Sequence, residues 1–297
     1  MQIHDGLCHM PQAQRTLIEP GLLKREVQNN PLTVFLCGPG IGMSGFDGRA
    51  KIKEYLESHS NVDVKYGEDL LSGKIKRSGS RPADLQTLEA EFAHEADFTV
   101  LILDSPGAIA ELGTFSMIEN IVPRLFVAVP AAFHKSESYI ARGSLSIISR
   151  YSKTNVFYFE RGEAETINDH LNIPVCLFKF AAARKGYNSK ARFGHKAKIY
   201  NRAYYNNFIS PIRNEFLMAA TLIGIISLDR PTYAQLVRRL KLSSDDVRFA
   251  LASLFELNKI EKSKGAYRAL ASFDDPLLEA FSSTRISRLK AIVLAQG

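Results

Sequence analysis

The chain has 297 residues, of which 45% are hydrophobic and 23% are charged, as in an ordinary soluble globular protein. Its three cysteines, Cys8, Cys37 and Cys176, lie far apart, with no CxxC pair and no histidine at zinc-ligand spacing, which excludes a disulfide framework and a structural zinc site. The N-terminus lacks a secretory signal, and the longest apolar stretch, residues 216–228, is too short to span a bilayer as a helix. We therefore expect a cytoplasmic protein with no membrane partner and no metal.

The formal charge of +7 is distributed unevenly along the chain. Residues 1–170 carry 17 Lys and Arg against 22 Asp and Glu, a net charge of −5, whereas residues 171–297 carry 21 against 9, a net charge of +12. This asymmetry predicts that the two halves of the chain meet different partners.

In chain order, residues 1–30 come first and are predicted to be a tail with one short helix that Pro20-Gly21 interrupts. From residue 31 onward, apolar strands alternate with helices. Strands are predicted over 32–38, 62–67, 97–104, 124–130 and 155–160, and helices over 46–59, over 82–95 and from about 108. Near-continuous apolar strands are typical of a parallel sheet that is covered on both faces. The pattern predicts a small doubly wound α/β domain over residues 31–165.

Residues 166–213 are predicted to form a basic helical connector, because no acidic residue occurs between Asp169 and Glu215. The cations of this stretch are Lys179, Arg184, Lys185, Lys190, Arg192, Lys196, Lys198, Arg202 and Arg213, and the interleaved aromatic residues are Phe178, Phe180, Tyr187, Phe193, Tyr200, Tyr204 and Tyr205. Cations attract the phosphate backbone, and aromatic rings stack on unpaired bases. The connector is therefore a candidate for binding single-stranded or structured nucleic acid; the alternative is an amphipathic helix pair whose aromatic side chains are core.

The last part of the chain, residues 214–297, has the element spacing of a winged helix. One helix is predicted over 231–240, with its proline in the first turn. A second helix follows over 243–260, with a capping-box-like start. A hairpin around Lys264-Gly265 is the expected wing.

Two carboxylates stand where the second of these helices would have to read DNA. The helix begins Ser244-Asp245-Asp246, whereas the first residues of a recognition helix meet base edges beside phosphates. We therefore expect the unit to dock on a protein or on nucleic acid through its wing. The wing cations are Lys262, Lys264 and Arg268.

The run DSPGAIAELGTF, residues 104–115, closes the third predicted strand and opens a helix. In an open α/β sheet, ligands bind beyond the carboxyl ends of the strands. We expect Glu111 in the first turn of this helix, where the helix dipole would keep its carboxylate ionised. Such a carboxylate is a candidate nucleophile or charge stabiliser, but the residue pattern alone fits equally well a glutamate that only caps its helix.

The motif GAIAELG resembles the G-x-x-x-E-L-G element of nucleoside 2-deoxyribosyltransferases. The resemblance implies that Glu111 is a nucleophile that displaces a base from C1′ and forms a covalent glycosyl–enzyme intermediate. Across most of its length, through TVFLCG, LEAEFAHEADFTVLILDSPGAIAELGTFSMIEN and RLFVAV to the basic connector and the winged helix, the chain resembles the effector proteins of type II retrons. That resemblance implies a toxin that a reverse transcriptase and its multicopy single-stranded DNA hold in check.

Members of that family are regarded as N-glycosidases that act on nucleotides, with NAD a favoured substrate and no cofactor. By the same resemblance, Glu89 occupies the position at which deoxyribosyltransferases hold an acidic residue for the base. Gly38 follows the first strand as part of a ribose or phosphate loop, although CGPGIG lacks the GxGxxG spacing. The other candidate substrate contacts are Glu68, Asp69, Asp104, Ser105 and Gly107, whereas Glu91, His94 and Glu95 are expected to form a solvated helix face.

Three hypotheses about function remain open at this point. The first is an N-glycosidase that hydrolyses NAD or a related nucleotide, acting as a retron toxin. The second is a deoxyribosyltransferase that exchanges nucleobases; Leu36 weakens it, because those enzymes often carry a tyrosine in the first strand. The third is a non-catalytic DNA-binding regulator. A homo-oligomer is also expected, since deoxyribosyltransferases sometimes complete a site from a neighbouring subunit.

Overall fold

A computed structural model of the chain describes residues 17–23, 32–40, 48–59, 62–71, 84–134, 137–160, 164–183 and 210–295. Five parallel strands form one sheet in the order β2-β1-β3-β4-β5. They are β1 (Leu32–Cys37), β2 (Val62–Tyr66), β3 (Phe98–Ile102), β4 (Leu125–Pro130) and β5 (Val156–Phe159). The strand predictions are confirmed, with shorter ends. In this strand order the direction of winding reverses between β1 and β3, and ligands of such sheets bind at the carboxyl end of that switch point.

Helices cover both faces of the sheet. They are α1 (Gly48–Ser58), α2 (Gly67–Leu71), α3 (Leu85–Glu95), α4 (Pro106–Phe115), α5 (Ser146–Tyr151) and α6 (Ala164–Ala183). One core cluster joins Val34 and Leu36 of β1 to α1 and α6, and a second joins Phe35 and Cys37 to α3, α4 and α5. Because successive strand residues point to opposite faces, β1 is apolar throughout.

The C-terminal part contains four helices and a hairpin among its described residues. They are α7 (Ser210–Leu228), α8 (Tyr233–Leu240), α9 (Ser244–Glu256), β6 (Ile260–Ser263), β7 (Ala266–Ala269) and α10 (Ser283–Leu294). The predicted order of helix, helix and hairpin is present. Ser243 caps α9 by accepting from the Asp246 N–H at 3.1 Å, whereas Pro231 precedes the N-cap Thr232 and so lies outside the first turn of α8, where it had been predicted. Lys264 and Gly265 both have positive φ, as two-residue hairpin turns of one common type require.

The N-terminal segment around residue 20 is not the tail that the sequence predicts. Leu17 and Ile18 are buried, and Pro20–Leu22 forms a 3₁₀ helix. The Leu17 N–H donates to the Arg239 carbonyl at 3.0 Å, and Leu23 pairs with Phe281. Apolar residues on both sides of Pro20-Gly21 therefore pack into the same core cluster as α7 and α8.

The aromatic residues at the start of the predicted connector are core residues, so the prediction that they stack on bases is wrong for this part. The ring of Phe178 stacks on Phe98 of β3 at 5.1 Å, and Phe180 contacts Phe216 of α7 at 5.7 Å. Both rings belong to α6, which packs on the sheet and on α1. The basic residues that follow these rings in the sequence had been grouped with them. The predicted boundaries at 165/166 and 213/214 fall inside α6 and α7.

Arg213, which the sequence groups with the nucleic-acid-binding cations, is a buried structural residue. It lies in α7, forms an ion pair with Asp246 of α9 at 3.3 Å, and donates to Ser152 and Thr154 before β5. Asp245 pairs with Lys153 at 2.5 Å. The N-terminus of α9 is therefore bonded to the α/β part of the chain. None of the described helices is both long and apolar enough to cross a bilayer.

Candidate functional site

At the switch point between β1 and β3, the backbone after β1 lies in close contact with the end of β3. Gly38 follows β1 with φ +144°, and a Cβ at this position would lie 2.9 Å from the Ile102 Cβ and 3.1 Å from the Ile102 carbonyl oxygen. Such distances, in a backbone conformation that side chains rarely adopt, require glycine. Gly38 therefore lets the chain leave β1 directly beside the end of β3.

The helix that carries Glu111 begins at Pro106, two residues before the predicted start near residue 108, and Glu111 therefore does not lie in its first turn. Ser105 is the N-cap of α4, and its Oγ accepts from the Ala108 N–H at 3.1 Å. Pro106 is the first helical residue, so Glu111 is the sixth and lies in the second turn, with no acidic residue in the first. The prediction that the helix dipole keeps this carboxylate ionised is therefore wrong, because that effect is confined to the first turn.

The surroundings of Glu111 favour its protonated form. The side chain is half-buried, and its Oε2 atom is inaccessible to solvent and has no hydrogen-bond partner among the described residues. Burial raises the pKa of Glu111 to about 7; the negative charges of Glu89 and Glu68 add to this rise, and the guanidinium of Arg49 opposes it. The carboxyl group therefore takes up and releases a proton near neutral pH.

Glu89 reaches the same edge of the sheet from α3. A Cβ on Gly67, the residue after β2, would lie 2.8 Å from the Glu89 Oε1 atom, so the carboxylate rests against the backbone at the end of that strand. Burial raises the pKa of Glu89, the charge of Glu68 raises it further, and Arg49 lowers it. The structure thus brings the carboxyl groups of Glu68, Glu89 and Glu111 into one electrostatically coupled set.

Arg49 interacts with these three carboxyl groups, and the sequence analysis missed it. Its side chain is 5% exposed, and it forms two parallel hydrogen bonds with Glu68, from NH1 at 2.9 Å and from NH2 at 2.6 Å. The guanidinium carbon lies 4.5 Å from the centre of the Tyr66 ring. A signal was present in the sequence, because a cation in the first turn of a helix opposes the helix dipole and needs another reason to be there.

Two of the remaining predicted contacts of the α/β part bond to backbone N–H groups. Asp69 accepts from the Tyr66 N–H at 3.0 Å, and Ser105 caps α4. Asp104 is half-buried just beyond β3, and Gly107 is exposed in the first turn of α4. A Cβ on Gly107 would meet only the Ser105 Oγ, at 3.9 Å, so this glycine is not required by its neighbours.

The thiol of Cys37 is not available as a second nucleophile at this edge. Cys37, at the end of β1, is fully buried, and burial raises the pKa of its thiol well above the usual value, with Glu111 and Glu89 adding to the rise. The side chain therefore stays protonated. In the described ranges, no group of three His, Cys, Asp or Glu side chains is arranged to hold a metal ion.

A shallow groove of about 480 Å³ lies between α3 and α4 and is separate from the carboxylate set. Its lining residues are Gln86, Thr87, Ala90, Glu91, His94, Glu95, Thr114 and Ile118. Glu91 and Glu95 are exposed, as predicted, whereas His94 is half-buried, and burial lowers its pKa. No predicted substrate residue lines this groove.

The predicted nucleic-acid contacts fall into two groups. Lys179 on α6 is half-buried, and burial lowers its pKa. The other seven lie outside the described residues: Arg184, Lys185, Lys190, Arg192, Lys196, Lys198 and Arg202. On the hairpin, Lys262 and Lys264 are exposed, and Arg268 pairs with Glu261 at 2.6 Å.

Sequence comparison places these features in a known context. The sequence model of a family described as STM3845 retron effector protein matches residues 46–262, well over half of the chain. A protein of Escherichia coli named "Retron Ec86 putative ribosyltransferase/DNA-binding protein" is 29% identical over 141 residues. The match covers 48% of this chain and 45% of that relative, so the chain spans less than half of the relative's length.

Proposed function

The chain belongs to the STM3845 retron effector protein family, and from that premise we propose that it is a retron toxin that cleaves the N-glycosidic bond of a nucleotide such as NAD. Glu111 is the nucleophile of this reaction, and Glu89 is the second carboxyl group beside the leaving base. The name of the Escherichia coli relative includes ribosyltransferase, which is consistent with chemistry at the same bond.

One observation carries the proposal. Glu111 presents a half-buried carboxyl group, with one oxygen unpartnered among the described residues, at the switch point where ligands of such sheets bind. A buried carboxyl oxygen without a hydrogen-bond partner destabilises the fold, and carboxyl groups in such surroundings are typical of functional sites. A second carboxyl group, that of Glu89, is coupled to it electrostatically, which is the arrangement that glycoside hydrolysis uses.

The proposed reaction has two steps. The ionised Glu111 oxygen attacks C1′ as the bond from C1′ to the base nitrogen breaks, and the bonding electrons leave with the base. The pyridinium ring of NAD departs as neutral nicotinamide and needs no proton from the enzyme. Water then adds to C1′, the ester bond to Glu111 breaks, and the proton of the water passes to a neighbouring carboxylate.

A cationic substrate would also increase the fraction of Glu111 that is ionised. With a pKa of about 7, about half of the molecules carry an ionised Glu111 at neutral pH. A positive charge on the bound base favours the carboxylate form. The substrate would therefore help to generate the nucleophile that attacks it, which supports NAD over neutral nucleosides.

The test is the substitution Glu111→Gln, which keeps the shape of the side chain and removes its charge. Inducing the unmutated chain in cells without a reverse transcriptase should lower NAD and stop growth, and the purified chain should release nicotinamide from NAD. Glu111→Gln should reduce both effects by at least about 10³-fold in rate, as expected for loss of a nucleophile. Glu119→Gln, at an exposed position after α4, is the matched control and should behave as the unmutated chain.

The other hypotheses give different outcomes in the same experiment. A deoxyribosyltransferase would exchange an added nucleobase into a deoxynucleoside with little net hydrolysis, and Glu111→Gln would abolish the exchange. A non-catalytic regulator would remain toxic with Glu111→Gln. That last result would exclude both enzymatic proposals.

The proposed partners follow from the family and from the charge of the chain. Retron effectors associate with retron components, and the name of the Escherichia coli relative includes DNA-binding. We propose a reverse transcriptase and its multicopy single-stranded DNA as the partners that restrain the toxin. Residues 171–297, with a net charge of +12, supply the surface for that nucleic acid, and the helices and hairpin of residues 231–270 act as a winged helix that docks by its wing.

A further inference from the structure

Arg49 is held by contacts that differ in their exposure to solvent. Its NH1 group donates to the Pro39 carbonyl at 3.0 Å and to the Gly38 carbonyl at 3.3 Å, and its guanidinium lies against the Tyr66 ring. These contacts fix the guanidinium from the interior. Glu68 contacts the guanidinium from the solvent side: 55% of the Glu68 side chain is exposed, against 5% of the Arg49 side chain.

Glu68 makes the contact that a phosphate group would make. Its two oxygens accept one hydrogen bond each from NH1 and NH2 of Arg49, the forked geometry that guanidinium groups form with carboxylates and phosphates alike. Because Glu68 is exposed, rotating its side chain moves the carboxylate into water without unfolding anything around it. Arg49 stays in place, since its main-chain and ring contacts do not depend on Glu68.

We propose that Arg49 is the receptor for a phosphate group of the substrate and that Glu68 occupies this receptor until the phosphate displaces it. The inference rests on the proposed N-glycosidase function and narrows it, because it assigns the site to nucleotides rather than nucleosides. Exchange of one anion for another also keeps the buried guanidinium paired throughout, which avoids the large cost of an unpaired buried charge.

Displacement of Glu68 also explains how an anion can enter an acidic site. Before exchange, the guanidinium of Arg49 is paired with Glu68 and interacts electrostatically with Glu89 and Glu111. Release of Glu68 into solvent removes one of them from the site. The raised pKa of Glu89 allows this group to take up a proton as the phosphate approaches.

The experiment compares the binding of AMP and adenosine, which differ by one phosphate group, in full-length protein. Glu111→Gln is present in every variant so that no substrate is consumed, and titration calorimetry gives the ratio of the two affinities. We expect AMP to bind at least about tenfold more tightly than adenosine. The ratio should fall to about one in Arg49→Gln and rise severalfold in Glu68→Gln, where the competing charge is gone.

Lys53→Gln is the matched control, because the Lys53 Nζ atom lies 4.7 Å from the same Tyr66 ring but outside the fork. An equal loss of phosphate preference in Lys53→Gln and Arg49→Gln would overturn the proposal, since general positive potential would then explain it. Equal affinity for AMP and adenosine, without binding of inorganic pyrophosphate, would also overturn it. If Arg49→Gln does not fold, Glu68→Gln decides, and an unchanged ratio there refutes the exchange.

Failure of the proposed function gives a different result. The protein could prefer AMP to adenosine through Arg49 and yet, with Glu111 intact, release no base from any nucleotide. That result would support the phosphate receptor and refute the glycosidase proposal. A chain that cleaves NAD but shows no Arg49-dependent preference would retain the glycosidase and lose the receptor.

Discussion

Glu111 and Glu89 carry the same functional group, but their surroundings suit them to different roles. Glu111 has a pKa of about 7, raised by burial and by the charge of Glu89, and one of its oxygens is inaccessible to solvent. Glu89 lies against the backbone at Gly67, where burial and the charge of Glu68 raise its pKa. Two interacting carboxyl groups titrate as a pair, so a change at one alters the protonation of the other.

The pH dependence of activity tests this pairing. As nucleophile, Glu111 must be ionised, so kcat/KM should rise with pH through about 7. Glu89→Gln removes a negative charge that raises the pKa of Glu111, and the rising limb should therefore move to lower pH. We also expect a loss of kcat on the order of 10²-fold at the optimum, because a proton-transfer group is lost.

Glu91→Gln is the control for this substitution. Glu91 lies two residues along the same helix, but it is exposed and lines the separate groove between α3 and α4. Its pH profile should match that of the unmutated chain. A rising limb that stays in place in Glu89→Gln would show that Glu89 is not the group coupled to Glu111.

Among the secondary-structure elements, the amino end of the sheet is fastened by a buried acid and a buried base. Asp97, just before β3, accepts from the Thr33 N–H of β1 at 2.8 Å, and its own N–H donates to the Thr33 carbonyl at 2.8 Å. Arg124, just before β4, donates to the carbonyls of Ala96 and His94. The beginnings of three neighbouring strands are thus joined at the edge opposite the candidate site.

Asp97 makes the stability of the fold depend on pH. Burial raises its pKa to about 6, against opposing effects of the Thr33 hydrogen bond and Arg124. Because the folded state holds this proton more tightly than the unfolded chain, the contribution of Asp97 is fully present below about pH 4 and is lost as pH rises through about 6. Asp97→Asn should therefore match the unmutated chain near pH 4 and exceed its unfolding free energy near pH 7.5 by on the order of 2 kcal/mol.

Urea denaturation at several pH values measures this difference. Asp274→Asn, at an exposed position, removes one carboxylate of the same type and is the matched control. An Asp97→Asn variant that is less stable than the unmutated chain at pH 7.5 would mean that the ionised carboxylate stabilises the fold through Thr33 and Arg124.

The sequence predicted elements better than it predicted side-chain surroundings. The five strands follow from their apolar runs, and Glu111 from its motif, because both signals are local in the chain. The rise in the pKa of Glu111 depends on Glu89 and Glu68, which come from other elements and meet only in the fold. Arg49 was missed for the same reason, since its partner Glu68 is 19 residues away.

At the scale of the whole molecule, the sequence also failed to predict which side chains of the basic half are buried. Net charge predicted that residues 171–297 meet an anionic partner, but it did not predict which cations are accessible. Arg213 proved to be buried in a network with Asp246 and Ser152. Phe178 and Phe180 fill the core. A count of charges along a chain does not distinguish a surface from an interior.

The docking of α9 limits how this part of the molecule can bind nucleic acid. Asp245 is paired with Lys153 and Arg248, and Asp246 with Arg213, so the N-terminus of α9 faces the α/β part of the chain. A recognition helix enters the major groove by that end. The hairpin turns at Lys264 and Gly265 and carries the exposed side chains of Lys262 and Lys264. Among the described residues, it takes no part in the ion pairs of Asp245 and Asp246.

We therefore expect full-length protein to bind single-stranded or hairpin DNA without duplex sequence specificity. Replacing Lys262 and Lys264 together by alanine should reduce the slope of log K against log salt by about 1 to 2, because up to two phosphate contacts are lost. Fluorescence anisotropy over a range of salt concentrations measures this slope. Arg248→Ala on α9, where the side chain is 71% exposed, is the control and should leave it unchanged. Sequence-specific duplex binding that Arg248→Ala abolishes would show instead that α9 leaves the α/β part and reads DNA, because that side chain lies on the helix end that would enter the groove.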